Sequence, residues 1–215
     1  GSSPAAIEKA LSVATAVSLN IETPGKEHLS KVSAAKDFTR DIVEPIKLIS
    51  KLRSQYHRSI KQTTQFIVGA AGENDRQIIN YTFAMYSNLG LNRVYFSSYQ
   101  HVNNENDLIS PDTEEGFIRE HRLYQVDFLF RKYGFEPADI IYDSNGRLPV
   151  ETDPKELWAQ NHPEFFPVNV NTASKYKLLR VPGLGPTTVY EILDKRKVGK
   201  IKSIDDICKS KRLLK

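Results

Sequence analysis

The succession of apolar patterns predicts an α/β chain: a partial (half) TIM-like parallel barrel followed by a small all-α module. Three observations carry this. Strand-like runs alternate with helical ones through short links, the order that gives parallel strands covered by helices. Only three clear strands are present, whereas a complete barrel needs eight strands and roughly 250 residues, so the body is part of a barrel or a small open sheet. Beyond residue 170 the pattern becomes wholly helical around a glycine-rich turn. Composition sets the boundaries at 1–134 for the body, 135–170 for a Pro- and aromatic-rich connector, and 171–215 for the module.

Taken in order, residues 5–16 place Ile7, Leu11 and Ala14 near one helical face. Val17 to Thr23 alternates apolar and polar and stops at Pro24-Gly25, as a strand ending in a turn does. Residues 26–40 read as polar loop or short helix. From Asp41 to Ser59 the positions Ile42, Ile46, Ile49 and Leu52 recur at helical spacing. Thr64 to Gly69 is a second strand and Ala70 to Glu73 a loop. A helix follows from Asp75 to Leu89, capped by Asn74 or Asp75 and stopped by Gly90. Arg93 to Tyr99 is the third strand, and His101 to Glu115 a long polar connection. Residues 117–133 form a helix with Leu123, Val126, Phe130 and Tyr133 on one stripe, closed by Gly134. The connector holds one short helix around Pro154–Asn161.

Composition excludes several classes of protein. One cysteine, Cys208, leaves no disulfide framework, no CxxC zinc site and no self-contained iron–sulfur cluster, and a reducing, cytoplasmic setting is the expectation. No run approaches the ~18–20 apolar residues of a membrane span, and Gly1-Ser2-Ser3 lacks the basic and apolar regions of a secretory signal. The net charge of +4 conceals an asymmetry: residues 171–215 hold twelve basic and four acidic side chains, a balance of +8, against −4 for the rest. A basic module on a mildly acidic body points to a polyanion, with a solvated lysine-rich surface as the plainer alternative.

The most specific signal lies inside that module. Asn171 or Thr172 can cap a helix running to about Arg180, which Pro182 then breaks. Gly183 and Gly185 supply the unusual angles of a tight turn, and Pro186 stands where a second helix begins. An apolar residue between two glycines, Gly183-Leu184-Gly185, resembles the core of a helix-hairpin-helix DNA-binding motif. The resemblance implies a grip on the phosphate backbone, without sequence preference, by the turn's free N–H groups. The residues concerned are Pro182, Gly183, Leu184, Gly185, Thr187 and Thr188, with Lys175, Lys177 and Arg196 adding counterion release. The competing reading is an ordinary αα-hairpin with a Gly-rich turn. Gly199 to Ile207 resembles the lead-in that follows such hairpins, with Ser203 and Asp206 at capping-box spacing. No second glycine turn follows.

The body carries a second resemblance. Thr64 to Asp75 resembles the strand and loop that flank the adenosyl group in radical S-adenosylmethionine (SAM) enzymes. Arg93–Ser97, Arg119–Leu129, Tyr133-Gly134-Phe135 and His162–Asn171 are similar to the DNA modification/repair radical SAM proteins, which pair such a barrel with a terminal helix-hairpin-helix. The resemblance spans roughly residues 15–207. It implies that Asn20, Glu22, Gly69, Ala70 and Glu73 line the SAM ribose and adenine, and that a complete parent protein holds SAM and a [4Fe-4S] cluster. This chain alone is expected to carry no cofactor, because the family's Cys-x₃-Cys-x₂-Cys is absent, and so to be catalytically silent. The expected partners are DNA and either an N-terminal half or a second copy covering the open barrel. A stand-alone DNA-binding scaffold and one subunit of a split radical SAM enzyme are the alternatives. For Asn20 and Glu22 the plainer reading is the polar face of a strand, for Glu73 a charge complementing a helix dipole. For His121 and His162 a packing or surface role outweighs acid–base work.

Overall fold

A computed structural model describes residues 3–56, 58–100 and 112–207. Of the expected connection from His101 to Glu115, residues 101–111 lie outside the described residues, as does Cys208, while residues 112–115 already belong to a helix. The chain divides into two compact units, one of Gly1–Asp127 with Tyr142–Val150, the other of Phe128–Ile141 with Glu151–Lys215.

The first unit is built on a three-stranded, all-parallel sheet in the order β1-β2-β3. Helix α1 (Pro4–Val13) is capped by Ser3 and buries Ile7 and Leu11. β1 is only Ala16–Ser18, shorter than the alternating run Val17–Thr23 predicts. The reason is a side chain. Thr64 Oγ1 accepts from Ile21 N at 2.9 Å and donates to Leu19 O at 2.8 Å, standing in for ladder bonds. Pairing resumes only at the bridge between Glu22 and Phe66, where Glu22 adopts φ 67°. The expected loop or short helix at 26–40 contains α2 (Lys26–Val32). A π-turn over Phe38–Val43 feeds α3 (Glu44–Arg53), which buries Ile46 and Ile49.

β2 (Lys61–Val68) buries Gln62, Thr64, Phe66 and Val68 in strict alternation. α4 (Asp75–Leu89) begins at a capping box between Asn74 and Gln77 and ends at Gly90, φ 61°. β3 (Arg93–Ser98) buries Val94 and Phe96. Its outer edge is covered by side chains: Tyr86 and Tyr124 hydroxyls accept from Val94 N and Phe96 N at 2.9 and 3.0 Å, and the Glu120 carboxylate accepts from Ser98 N at 2.7 Å. Those N–H groups are therefore satisfied without a further strand. α5 (Asp112–Phe128) supplies Tyr124 and Glu120 and buries Leu123 and Val126. This is a small parallel α/β sheet; three strands in sequential order do not by themselves make a half barrel.

The second unit is helical. A π-turn (Leu129–Tyr133) ends at Gly134, φ 67°. α6 (Pro154–Gln160) is capped by Asp153, whose carboxylate accepts from Lys155 N and Glu156 N. α7 (Lys175–Arg180) and α8 (Pro186–Val198) form a hairpin around Ala173, Leu178, Leu179, Val189, Ile192 and Ile201.

Candidate nucleic-acid interface

The hairpin's first helix starts later than the sequence predicts. Ser174, rather than Asn171 or Thr172, is the N-cap, accepting from Lys177 N at 3.2 Å. Asn171 is engaged elsewhere: its amide donates to Ile201 O and accepts from Ile201 N, both at 2.9 Å, strapping the segment after α8 to the start of the hairpin. Ser203 and Asp206 do form the capping box that their spacing predicts.

At the turn the two glycines do different work. Gly183 sits at φ 79°, a conformation that a side chain resists. Gly185 does not share it; at φ −90° and ψ 167° it is extended and serves as the N-cap of α8. The second glycine is thus required by no backbone angle. Leu184 N donates to Val181 O at 3.2 Å, so that amide is used. Gly183 N and Gly185 N have no acceptor among the described residues. Pro186 opens α8, and Val189 N is the first to reach an acceptor, Gly185 O at 2.9 Å. Thr187 and Thr188 precede it in the first turn, where N–H groups lack intrahelical partners. Pro182, Gly183 and Thr187 are exposed and Gly185 and Thr188 half-buried, so the unpartnered N–H groups of the turn lie at or near the surface by the positive end of α8.

Lys175 and Lys177 are both exposed, and Lys175 Nζ donates to the Tyr190 hydroxyl at 2.6 Å while lying 4.3 Å from that ring's centre. Arg196 is half-buried. Its guanidinium donates to Val170 O and Ala173 O at 3.2 and 2.7 Å, tying α8 to the chain before α7.

Two buried cations of this unit belong to no motif. Lys155 is 7 % exposed; its Nζ donates to Leu184 O at 2.7 Å and lies 4.5 Å from the centre of the Tyr133 ring. Burial lowers its pKa to about 8, with the Arg180 charge adding to the effect and Asp153 opposing it. Arg180 is 1 % exposed, 3.6 Å from the centre of the Phe135 ring, and bonded to Asp139 at 3.0 Å and the Tyr176 hydroxyl at 2.7 Å. Lys155 left a signal in the sequence, a lysine between Pro154 and Trp158 on the face that α6 buries.

In the first unit, Asn20 and Glu22 follow β1 and Gly69, Ala70 and Glu73 follow β2, at the carboxyl end of the sheet. Asn20 is exposed, and Glu22 pairs with Lys36 at 2.8 Å. Glu73 is buried, its carboxylate accepting from Gly69 N and Ala71 N. It folds the loop onto itself, which is more than dipole complementarity. An iron–sulfur cluster does not fit the donors of this chain, which has one cysteine, and no group of three or more His, Cys, Asp or Glu among the described residues could hold a metal ion. His121 is exposed, and His162 stacks on Trp158 at 4.2 Å with Nδ1 2.7 Å from Trp158 O, a packing role. No described helix is long and apolar enough to cross a membrane.

Comparison with known proteins bears on this unit. The family model for the helix-hairpin-helix motif matches residues 165–215, which supports a DNA-binding module there. No curated protein and no solved structure matches the chain.

Proposed function

We propose that the protein grips the sugar–phosphate backbone of DNA, without reading sequence, through the Gly183-Leu184-Gly185 turn and the first turn of α8. The observation that carries this is the pair of uncommitted amides, Gly183 N and Gly185 N, at the helix start. Exposed Lys175 and Lys177 support it by supplying counterion release. The test is binding of the full chain to duplexes of unrelated sequence across a salt series. Affinity should be equal for all sequences, fall log-linearly with salt, and drop at least tenfold in Gly183→Val. Unchanged affinity in that variant removes the hairpin as the grip.

The body supports a second layer of the same proposal, that it is part of a radical SAM-type barrel belonging to a DNA modification or repair protein. Sequentially ordered parallel strands, and the gathering of Asn20, Glu22, Gly69, Ala70 and Glu73 at their carboxyl end, favour it. The outer edge of β1, which pairs with no strand among the described residues, is where an N-terminal half or a second copy would add, since the N–H groups on the edge of β3 are already satisfied.

A further inference from the structure

We propose that Lys155 is the positioning residue of the hairpin grip: it draws the Leu184 carbonyl into the fold and thereby aims the Gly185 N–H outward at a phosphate oxygen. The inference rests on the grip proposed above and adds to it a residue that belongs to no motif.

The argument is geometric. In a trans peptide the C=O and the N–H project from opposite sides of the same plane, and the peptide between Leu184 and Gly185 is trans. Lys155 Nζ, on α6, holds Leu184 O at 2.7 Å across 29 residues of sequence. With the carbonyl fixed inward, the Gly185 N–H is committed to the opposite direction, and it has no acceptor among the described residues. An ammonium on the carbonyl also draws electron density from the amide, strengthening its N–H as a donor. The lysine is held there because its Nζ also lies 4.5 Å from the centre of the Tyr133 ring and the residue is 7 % exposed. The Tyr133 hydroxyl also lies beside the turn, 3.7 Å from where a Cβ on Gly185 would lie.

The arrangement makes the grip sensitive to pH. The groups facing Lys155 are Asp153 at the start of α6, Arg180 from α7 and the Tyr133 phenol from the preceding turn; the hairpin residues Val181–Gly185 carry no charge. Burial and Arg180 lower the ammonium's pKa to about 8, so the positive charge behind the turn is lost in mildly alkaline solution. A bound phosphate favours the charged form, and affinity must fall as that proton leaves.

The test measures binding of the full chain to a labelled duplex by anisotropy, at fixed salt, from about pH 7 to about pH 9.5, for wild type, Lys155→Met and Gly183→Val. Wild type should weaken about three- to tenfold with a midpoint near pH 8. Lys155→Met should bind at the weaker level throughout, with a flat pH profile and an unchanged salt slope, because the buried lysine neutralises no phosphate directly. A flat wild-type profile, or Lys155→Met binding as tightly as wild type at pH 7, overturns the role of Lys155; if that variant fails to fold, the wild-type profile decides alone. Binding that Gly183→Val abolishes but pH leaves untouched removes Lys155 and keeps the grip. Binding that Gly183→Val leaves intact removes the grip itself.

Discussion

Replacing each hairpin glycine by alanine separates conformation from access. Gly183 stands at φ 79°, where a Cβ collides with the neighbouring carbonyl, a strain of about 1–2 kcal/mol. Gly185 stands at φ −90°, and a Cβ there would meet only the Tyr133 hydroxyl, at the ordinary distance of 3.7 Å. Gly183→Ala should therefore lower the unfolding free energy by about 1–2 kcal/mol, while Gly185→Ala changes it by less than about 0.5 kcal/mol. Affinity for DNA should show a different pattern. The Gly185 methyl would crowd the approach of a phosphate oxygen to the adjacent N–H, removing a charge-assisted hydrogen bond of about 1.5–3 kcal/mol, or at least tenfold in Kd. Urea titration followed by circular dichroism gives the stabilities and anisotropy gives the affinities. Equal destabilisation by the two substitutions would refute the assignment of the strained angle to Gly183 alone. Full affinity in Gly185→Ala would refute the claim that its N–H touches the ligand.

Two further outcomes follow from buried charges. Asp75 is fully buried and accepts from Leu148 N at 2.8 Å and from the Arg119 guanidinium; Asp75→Ala should cost about 3–5 kcal/mol by leaving Arg119 without its counter-charge, and a loss under about 1 kcal/mol in urea titration would contradict it. The pKa of Lys155, lowered from 10.5 to about 8 by burial, means that between these values the unfolded chain holds a proton the folded chain has released. Stability should thus rise with pH across that window, by up to about 3 kcal/mol, in wild type and not in Lys155→Met. DNA affinity runs the opposite way over the same range, and stability curves that coincide for the two proteins would contradict the buried-ammonium account.

Elements whose signals are local were legible in the residues. The span of α4 was, because Asn74 and Gln77 close a capping box at one end and Gly90 takes a left-handed angle at the other. So was the opening of α8 at Pro186, whose missing N–H costs nothing in a first turn. The length of β1 was not. Its alternating pattern continues to Thr23, but the Thr64 hydroxyl takes the place of ladder bonds at Leu19 and Ile21, and no periodicity reveals where a side chain from another strand will land. The start of α7 moved to Ser174 for a similar reason, since Asn171 is claimed by Ile201.

The sequence by itself determined the hairpin: proline fixes its own φ and glycine readily takes the left-handed angle that a side chain resists, so Pro182, Gly183 and Pro186 write the break, the turn and the restart wherever the chain goes. It also determined the basic charge around that turn, which needs only counting. Tertiary structure decided what holds the Leu184–Gly185 peptide, because that depends on Lys155 reaching Leu184 O across 29 residues of sequence. It likewise turned Arg196 inward onto Val170 and Ala173, and Glu73 onto its own loop. The physical reason is that a backbone angle belongs to one residue, whereas a hydrogen bond between distant residues exists only after the core has brought its two ends together.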